Sequence, residues 1–437
     1  MATSTTSDLK LSQPLTLPNG LTLPNRLVKA AMAEQMGFGN HLPNPELAAV
    51  YATWARGDWG LILTGNVQVD HAHKGDAHDI SPNHPGTTPE QTVTAFKAWA
   101  DAARLNGQSK TPVVVQINHP GRQSPMGAGT RGLWEKAVAP SPVPLVLGEG
   151  FVPRLLSKVL FGTPRELTVA EIKDIVQKFA VTARITAEAG FNGVEIHAAH
   201  GYLLAQFLSK KTNRRGDEYG GSAENRARIV GEIIKECRRQ VAEAVGEEEA
   251  KKFVVGIKLN SADWQAGRDG KEEEETDTAE EVLKQIELFE QWGIDFVEVS
   301  GGSYEDPQMA NGPKPEKSER TKAREAFFLE FAKIIRTKFP KLPLMVTGGF
   351  RTRQGMEAAL ESDDCDMIGI GRPAIINPSL PANLILNPEV PDADARLFDK
   401  KRAEPHWIVE KLGMKSIVGA GAEVTWYVSE LKKLAKF

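Results

Sequence analysis

Eight short runs of aliphatic and β-branched residues recur along this chain, and nearly every gap between them carries a helical pattern. The runs fall near 26–33, 60–65, 113–118, 193–198, 253–259, 296–302, 344–349 and 367–371. Strands apolar along their whole length are covered on both faces, as in a parallel sheet. Helical patterns near 45–58, 88–106, 168–189, 223–244, 277–292, 324–339 and 352–361 separate them. Regular alternation predicts an α/β fold, a closed (β/α)8 barrel rather than an open doubly wound sheet. Thr168 with Glu171 reads as a capping box, and Thr88 as a helix N-cap.

Three segments lie outside the repeat. Two Leu-Thr-Leu arms flank Pro18-Asn19-Gly20, which predicts an N-terminal hairpin cap over 15–23. Residues 119–167 are rich in Gly and Pro and show little regular pattern, so they read as a long irregular insert. Beyond Pro388 helical patterns at 405–412 and 423–434 suggest a C-terminal helical extension. The expected organisation is a barrel over 1–387, hairpin and insert included, and a tail over 388–437.

Composition excludes several classes. A net charge of −4 over 437 residues gives no pull toward nucleic acid. Two cysteines, Cys237 and Cys365, exclude a disulfide scaffold and four-cysteine zinc or iron–sulfur sites. The first residues are polar and no apolar run approaches a membrane span, so a cytoplasmic protein without a membrane partner is expected.

In such barrels the site lies at the carboxyl ends of the strands. The fourth run delivers His197, His200, Gly201 and Tyr202 within six residues. On an extended strand positions three apart face opposite ways, so the imidazoles converge only if the backbone turns after about Ala198. Gly201 permits that turn. The result is a compact set of donors with one phenol able to protonate carbon. A His197-x-x-His200 pair could ligate a metal, but no cysteine or further histidine stands nearby at ligand spacing, so no metal is expected there. Glycines at 348, 349 and 371 with Arg372 end the seventh and eighth strands, where barrels often hold phosphate. Lys258, in an otherwise apolar strand, needs an acceptor: a neighbouring strand-end carboxylate, or an electron-rich ligand ring.

With these residues in place the chain resembles the Old Yellow Enzyme family of FMN-dependent ene reductases over about residues 12–385. The most specific match is Gly193-Val-Glu-Ile-His-Ala-Ala-His-Gly-Tyr-Leu-Leu-Ala-Gln-Phe-Leu-Ser209, followed by Asn213-Arg214 and 217–226. Pro24-Asn-Arg26, 116–122, Ser300-Gly-Gly302 and Gly371-Arg372 support it. The resemblance implies a barrel with FMN at its carboxyl face and NADH or NADPH as co-substrate. It implies that Gly349, Gly371 and Arg372 hold the phosphate, that Gln116 meets the flavin edge, and that Lys258 sits near N1 and the C2 carbonyl. Ala31, Met32, Ala33 and Asn66 would line the ring. His197 and His200 would hold the carbonyl oxygen of a small unsaturated substrate, hydride would pass from flavin N5 to the β carbon, and Tyr202 would protonate the α carbon. Relatives often carry Thr or Cys where this chain has Ala33, so a donor near flavin O4 is missing and a lower potential is expected. Substrate identity, nicotinamide preference and the choice between monomer and homodimer are left open.

Three other readings compete. The same site could serve NAD(P)H oxidation by oxygen or a biosynthetic step. A flavin-free phosphate-binding lyase or isomerase would need Lys258 as its catalytic group and would leave Gln116 and Tyr202 unexplained. A catalytically dead barrel conflicts with intact His197, His200 and Tyr202.

Overall fold

The computed structural model describes residues 9–82, 84–132, 134–148, 150–260, 279–300, 319–398 and 415–436, with side chains described outside 319–328 and 415–422. Eight parallel strands close on themselves: β1 Leu27–Lys29, β2 Leu61–Leu63, β3 Val113–Asn118, β4 Gly193–Ala198, β5 Val254–Asn260, β6 Phe296–Ser300, β7 Leu344–Thr347 and β8 Met367–Ile370. Each pairs with its neighbour in sequence, and β8 pairs with β1. The expected (β/α)8 barrel is the fold.

Helices follow the strands: α1 Pro45–Ala55, α2 Pro89–Ala103, α3 Val169–Glu188, α4 Ala223–Val245, α5 Ala279–Gln291, α6 Glu319–Lys338, α7 Arg353–Glu361 and α8 Lys415–Leu434. Their starts follow local chemistry. Thr88 with Gln91, and Thr168 with Glu171, form reciprocal capping boxes at α2 and α3. Asn44, Ser222 and Thr352 cap α1, α4 and α7 through side-chain oxygens. Among the described residues no helix is long and apolar enough to cross a membrane.

Period-two alternation sorts the barrel interior into layers. Val28, Leu61, Leu63, Val114, Val254, Phe296, Met345 and Met367 form one buried apolar cluster with Leu17 and Leu23. Leu15–Thr16 pairs antiparallel with Thr22–Leu23, so the expected hairpin forms, and its leucines plug the lumen. Gly256 makes room for this layer: a Cβ there would lie 2.2 Å from the Phe296 ring. Further along the same strands the lumen turns polar, with Gln116, Glu195, Lys258 and Glu298 all buried.

The insert is more ordered than its composition suggests. Val138–Ala139 pairs with Arg165–Glu166, and Phe151–Leu160 is helical. That helix starts at Gly150 without a side-chain cap and carries Pro153 in its first turn, where proline is tolerated but reads as a breaker. At the other end, α8 packs against α1: Tyr427, Leu431 and Leu434 are buried, and Thr53 Oγ1 donates to the Leu434 carbonyl at 3.2 Å. The helix expected over 423–434 is therefore longer and starts earlier. The one expected over 405–412 lies outside the described residues.

Candidate active site

The chain leaves β4 through two residues in the left-handed region, His200 at φ +57° and Gly201 at φ +72°. This is the turn that convergence of the imidazoles required. The His197 and His200 rings meet edge-on with centroids 4.9 Å apart, and the Tyr202 ring lies 4.8 Å from that of His197. Tyr202 sits at the N-cap of the short helix Leu203–Leu208, and the Leu203 amide donates to the His119 carbonyl at 2.9 Å. Gln123 donates to the His200 carbonyl at 2.9 Å, and Gln206 to the Gly201 carbonyl at 2.8 Å. The turn is thus held from two sides.

Hydrogen bonds set the protonation of the imidazoles. His197 Nδ1 accepts from the Ala199 amide at 3.2 Å, so in the neutral ring Nε2 carries the proton. His200 Nε2 lies 3.2 Å from Ser300 Oγ. Burial holds both rings well below the usual imidazole range; the His200 ring and Lys258 add to the effect at His197, and Lys258 adds to it at His200. They are neutral donors at physiological pH.

The layer beneath holds two carboxyl groups, Glu195 and Glu298, neither of which stood among the expected site residues. Gln116 Nε2 donates to Glu195 Oε2 at 2.6 Å, and Lys258 Nζ donates to Glu298 Oε1 at 2.7 Å. Strand register makes both pairs: Gln116 stands opposite Glu195 on β3 and β4, and Lys258 opposite Glu298 on β5 and β6. Lys258 thus meets the first of its two expected partners, a neighbouring strand-end carboxylate. Burial, and then the Glu298 charge, push the Glu195 carboxyl well above the usual carboxylate range. The layer therefore packs a lysine between two glutamates, with the Glu195 carboxyl pushed toward its protonated form.

The ends of β1 and β2 meet at Gly65, where a Cβ would lie 2.0 Å from Glu34 Oε2 and 2.2 Å from the Met32 carbonyl. The Gly65 amide donates to Glu34 Oε1 at 2.8 Å, and Tyr51 Oη donates to the same carboxylate. This fixes Ala31, Met32 and Ala33 beside Asn66, whose Oδ1 is buried without a hydrogen-bond partner. Across the barrel mouth β7 ends in Gly348 at φ +110° and Gly349 at φ +88°, backbone that a side chain would strain, and Thr347 Oγ1 is buried without a partner. Gly371 and Arg372 follow β8; Arg372 pairs with Glu423 of α8, and its guanidinium lies 5.9 Å from the Tyr427 ring centroid. The expected cofactor residues thus lie within the carboxyl halves of the strands or just beyond them, on one face, while Gly301 and Gly302 lie outside the described residues. Unsatisfied Asn66 and Thr347, with a glycine turn between β7 and α7, fit a phosphorylated ring ligand.

A barrel with neutral imidazole donors, a phenol and a glycine turn on this face defines the class of flavin-dependent oxidoreductases built on (β/α)8 barrels. The sequence profile of the NADH:flavin oxidoreductase / NADH oxidase family matches residues 10–387. The chain is 43% identical over 416 residues to the NADH-dependent flavin oxidoreductase iliE of Hypocrea jecorina, covering 94% of this chain and 97% of that one. It is 30% identical over 393 residues to 12-oxophytodienoate reductase 2 of Arabidopsis thaliana, covering 87% and 91%. Among solved structures it is similar to morphinone reductase in complex with tetrahydroNAD, at 26% identity and a TM-score of 0.63 over 88% of this chain and 92% of that one. The chain belongs to this family, the Old Yellow Enzyme family, and is an FMN-dependent NAD(P)H oxidoreductase.

Proposed function

We propose that the enzyme reduces the activated C=C bond of an α,β-unsaturated carbonyl compound, with NADH as the reductant and within a biosynthetic sequence. The convergence of His197, His200 and Tyr202 carries this reading. The name of the Arabidopsis thaliana relative fits such a substrate, and that of the fungal relative fits NADH.

Bound FMN supplies a hydride, renewed by the nicotinamide. Asn66, Gln116, Lys258, Gly349, Gly371 and Arg372 would hold it, with Ala31, Met32 and Ala33 against the ring. Glu195 and Glu298 anchor Gln116 and Lys258 from below and so fix where their head groups stand. His197 donates through Nε2, and His200 supplies a second nitrogen. Two neutral donors on a carbonyl oxygen withdraw charge from the alkene and stabilise the enolate as it forms. Tyr202 Oη then gives its proton to the α carbon.

Anaerobic rapid mixing separates the half-reactions. Tyr202→Phe is expected to slow reoxidation by an unsaturated ketone by about 10²–10⁴ while flavin reduction by NADH survives. Reaction with oxygen needs no acid at carbon, so air oxidation of NADH should survive as well. Equal loss of both half-reactions would remove Tyr202 from the role. Undiminished ketone reduction would show that another group, or water, delivers the proton to the α carbon.

A further inference from the structure

Six of the nine histidines stand at 41, 71, 73, 78, 84 and 119, apart from the pair that serves the active site. They gather in the loops after β1 and β2 and at the end of β3. Three of them converge: one ring nitrogen from each of His41, His71 and His84 lies within 4.8 Å of the others. The ring centroids are 5.0 Å apart for His41 and His71, 5.3 Å for His41 and His84, and 4.3 Å for His71 and His84. His71 is 4% exposed and its Nδ1 is buried with no hydrogen-bond partner. His41 reaches the cluster from a left-handed backbone position at φ +59°.

We propose that His41, His71 and His84 bind one divalent d-block cation, zinc first, and so tie the loop after β1 to the loop after β2. Three neutral imidazoles are a known zinc ligand set that leaves a fourth position for water, and imidazole also suits nickel and copper.

Two groups oppose the ion. Lys74 Nζ lies 3.0 Å from His41 Nδ1 and also donates to the Ala77 carbonyl at 2.9 Å. Binding must push the ammonium back toward the Ala77 carbonyl and the nearby Asp76 carboxylate, whose charge acts on it. The Gly86 amide donates to His84 Nδ1 at 3.0 Å, a bond that coordination would forfeit; Gly86 is exposed, so water replaces it. The neighbouring group of Asp70, His73 and His119 is a poorer site. Asp70 already accepts from His73 Nδ1 at 2.9 Å and faces Lys178 Nζ at 3.4 Å.

Equilibrium dialysis of the FMN-loaded protein against buffered zinc tests this, with bound metal counted per flavin. One equivalent is expected for wild type and for His73→Ala. His84→Ala and His71→Ala should each bind at least about 10-fold more weakly. Lys74→Met should bind about 10-fold more tightly, because the competing charge is gone. Zinc should raise the melting temperature of wild type but not of His84→Ala, a half-buried loop position, and the metal-free melting temperature of the variant shows whether its fold is intact. Wild type taking up no more zinc than the His71→Ala/His84→Ala double variant would overturn the site. So would an equivalent lost in His73→Ala and kept in His84→Ala.

Discussion

His197 can donate only through Nε2, because the Ala199 amide occupies Nδ1. Both active-site imidazoles are held below their usual range, chiefly by burial. A lowered folded pKa keeps the neutral form dominant from alkaline pH down past the unperturbed value of about 6.5. The rate of ketone-driven flavin reoxidation should therefore be flat between about pH 6 and 8, with no imidazole inflection; a step near 6.5 in stopped-flow traces would show a protonated donor. Ala33 supports a second expectation. It is exposed beyond β1, and a hydroxyl there would add a donor beside the flavin. One hydrogen bond worth about 1 kcal/mol to the reduced ring corresponds to roughly 20 mV in a two-electron couple, so Ala33→Thr should raise the potential by that order. An unchanged redox titration would misplace Ala33. The cluster of His197, His200 and Tyr202 was legible because it is contiguous: the three need only one turn to meet. Glu195 and Glu298 were not, since their partners stand 79 and 40 residues away and meet them only through strand register. Glu195 did carry a signal, being two residues before His197 and hence on the same strand face. The His41, His71 and His84 cluster spans two loops and left no spacing pattern to read.

Among the elements, the strands and their helices were readable from periodicity and caps, and the insert was not. Phe151–Leu160 does carry apolar residues at helical spacing, Phe151, Leu155 and Val159, but they face solvent while only Pro153 and Ser157 are buried, and Gly150 and Pro153 at its start read as breakers that mask the helix. The tail was the other open question. In the structure α8 takes the eighth outer position, closing the ring between α1 and the end of β8, with Glu423 on Arg372 and Leu431 fully buried. A helix that completes the ring shares the barrel's core, whereas an appended tail would not. Leu431→Ala should then cost about 2–5 kcal/mol of barrel stability, as large-to-small core changes do. Denaturant titration followed by flavin fluorescence and by circular dichroism reads it: both midpoints should fall together. A barrel transition that stays put while only a helical signal is lost would make 388–437 a separate unit.

At the scale of the whole molecule, closure of the barrel buries titratable groups that no local pattern reveals. Burial raises the Asp79 carboxyl to about 7, although its Oδ2 accepts from Gln68, Gly75 and Asp76. Burial lowers Lys29 to about 7; its ammonium donates to the Leu63 carbonyl and lies 4.1 Å from the Trp54 ring centroid. The two act on opposite sides of neutrality. Between about pH 4 and 7 the folded chain keeps a proton on Asp79 that the unfolded chain has released, so stability from this group falls as pH rises. Between about pH 7 and 10 the unfolded chain keeps a proton on Lys29 that the folded chain has released, so stability from that group rises with pH. Across its own window each group changes the unfolding free energy by about 5 kcal/mol at most, and water penetration reduces it. Other buried histidines tilt the absolute profile, so the measurement is a difference. Unfolding free energies of wild type and Asp79→Asn should converge toward pH 4 and separate in favour of the variant by pH 7, while Lys29→Met should gain on wild type as pH falls from 10 to 7. Parallel profiles across either window would mean that the corresponding group titrates alike in the folded and unfolded chains, and that closing the barrel does not desolvate it.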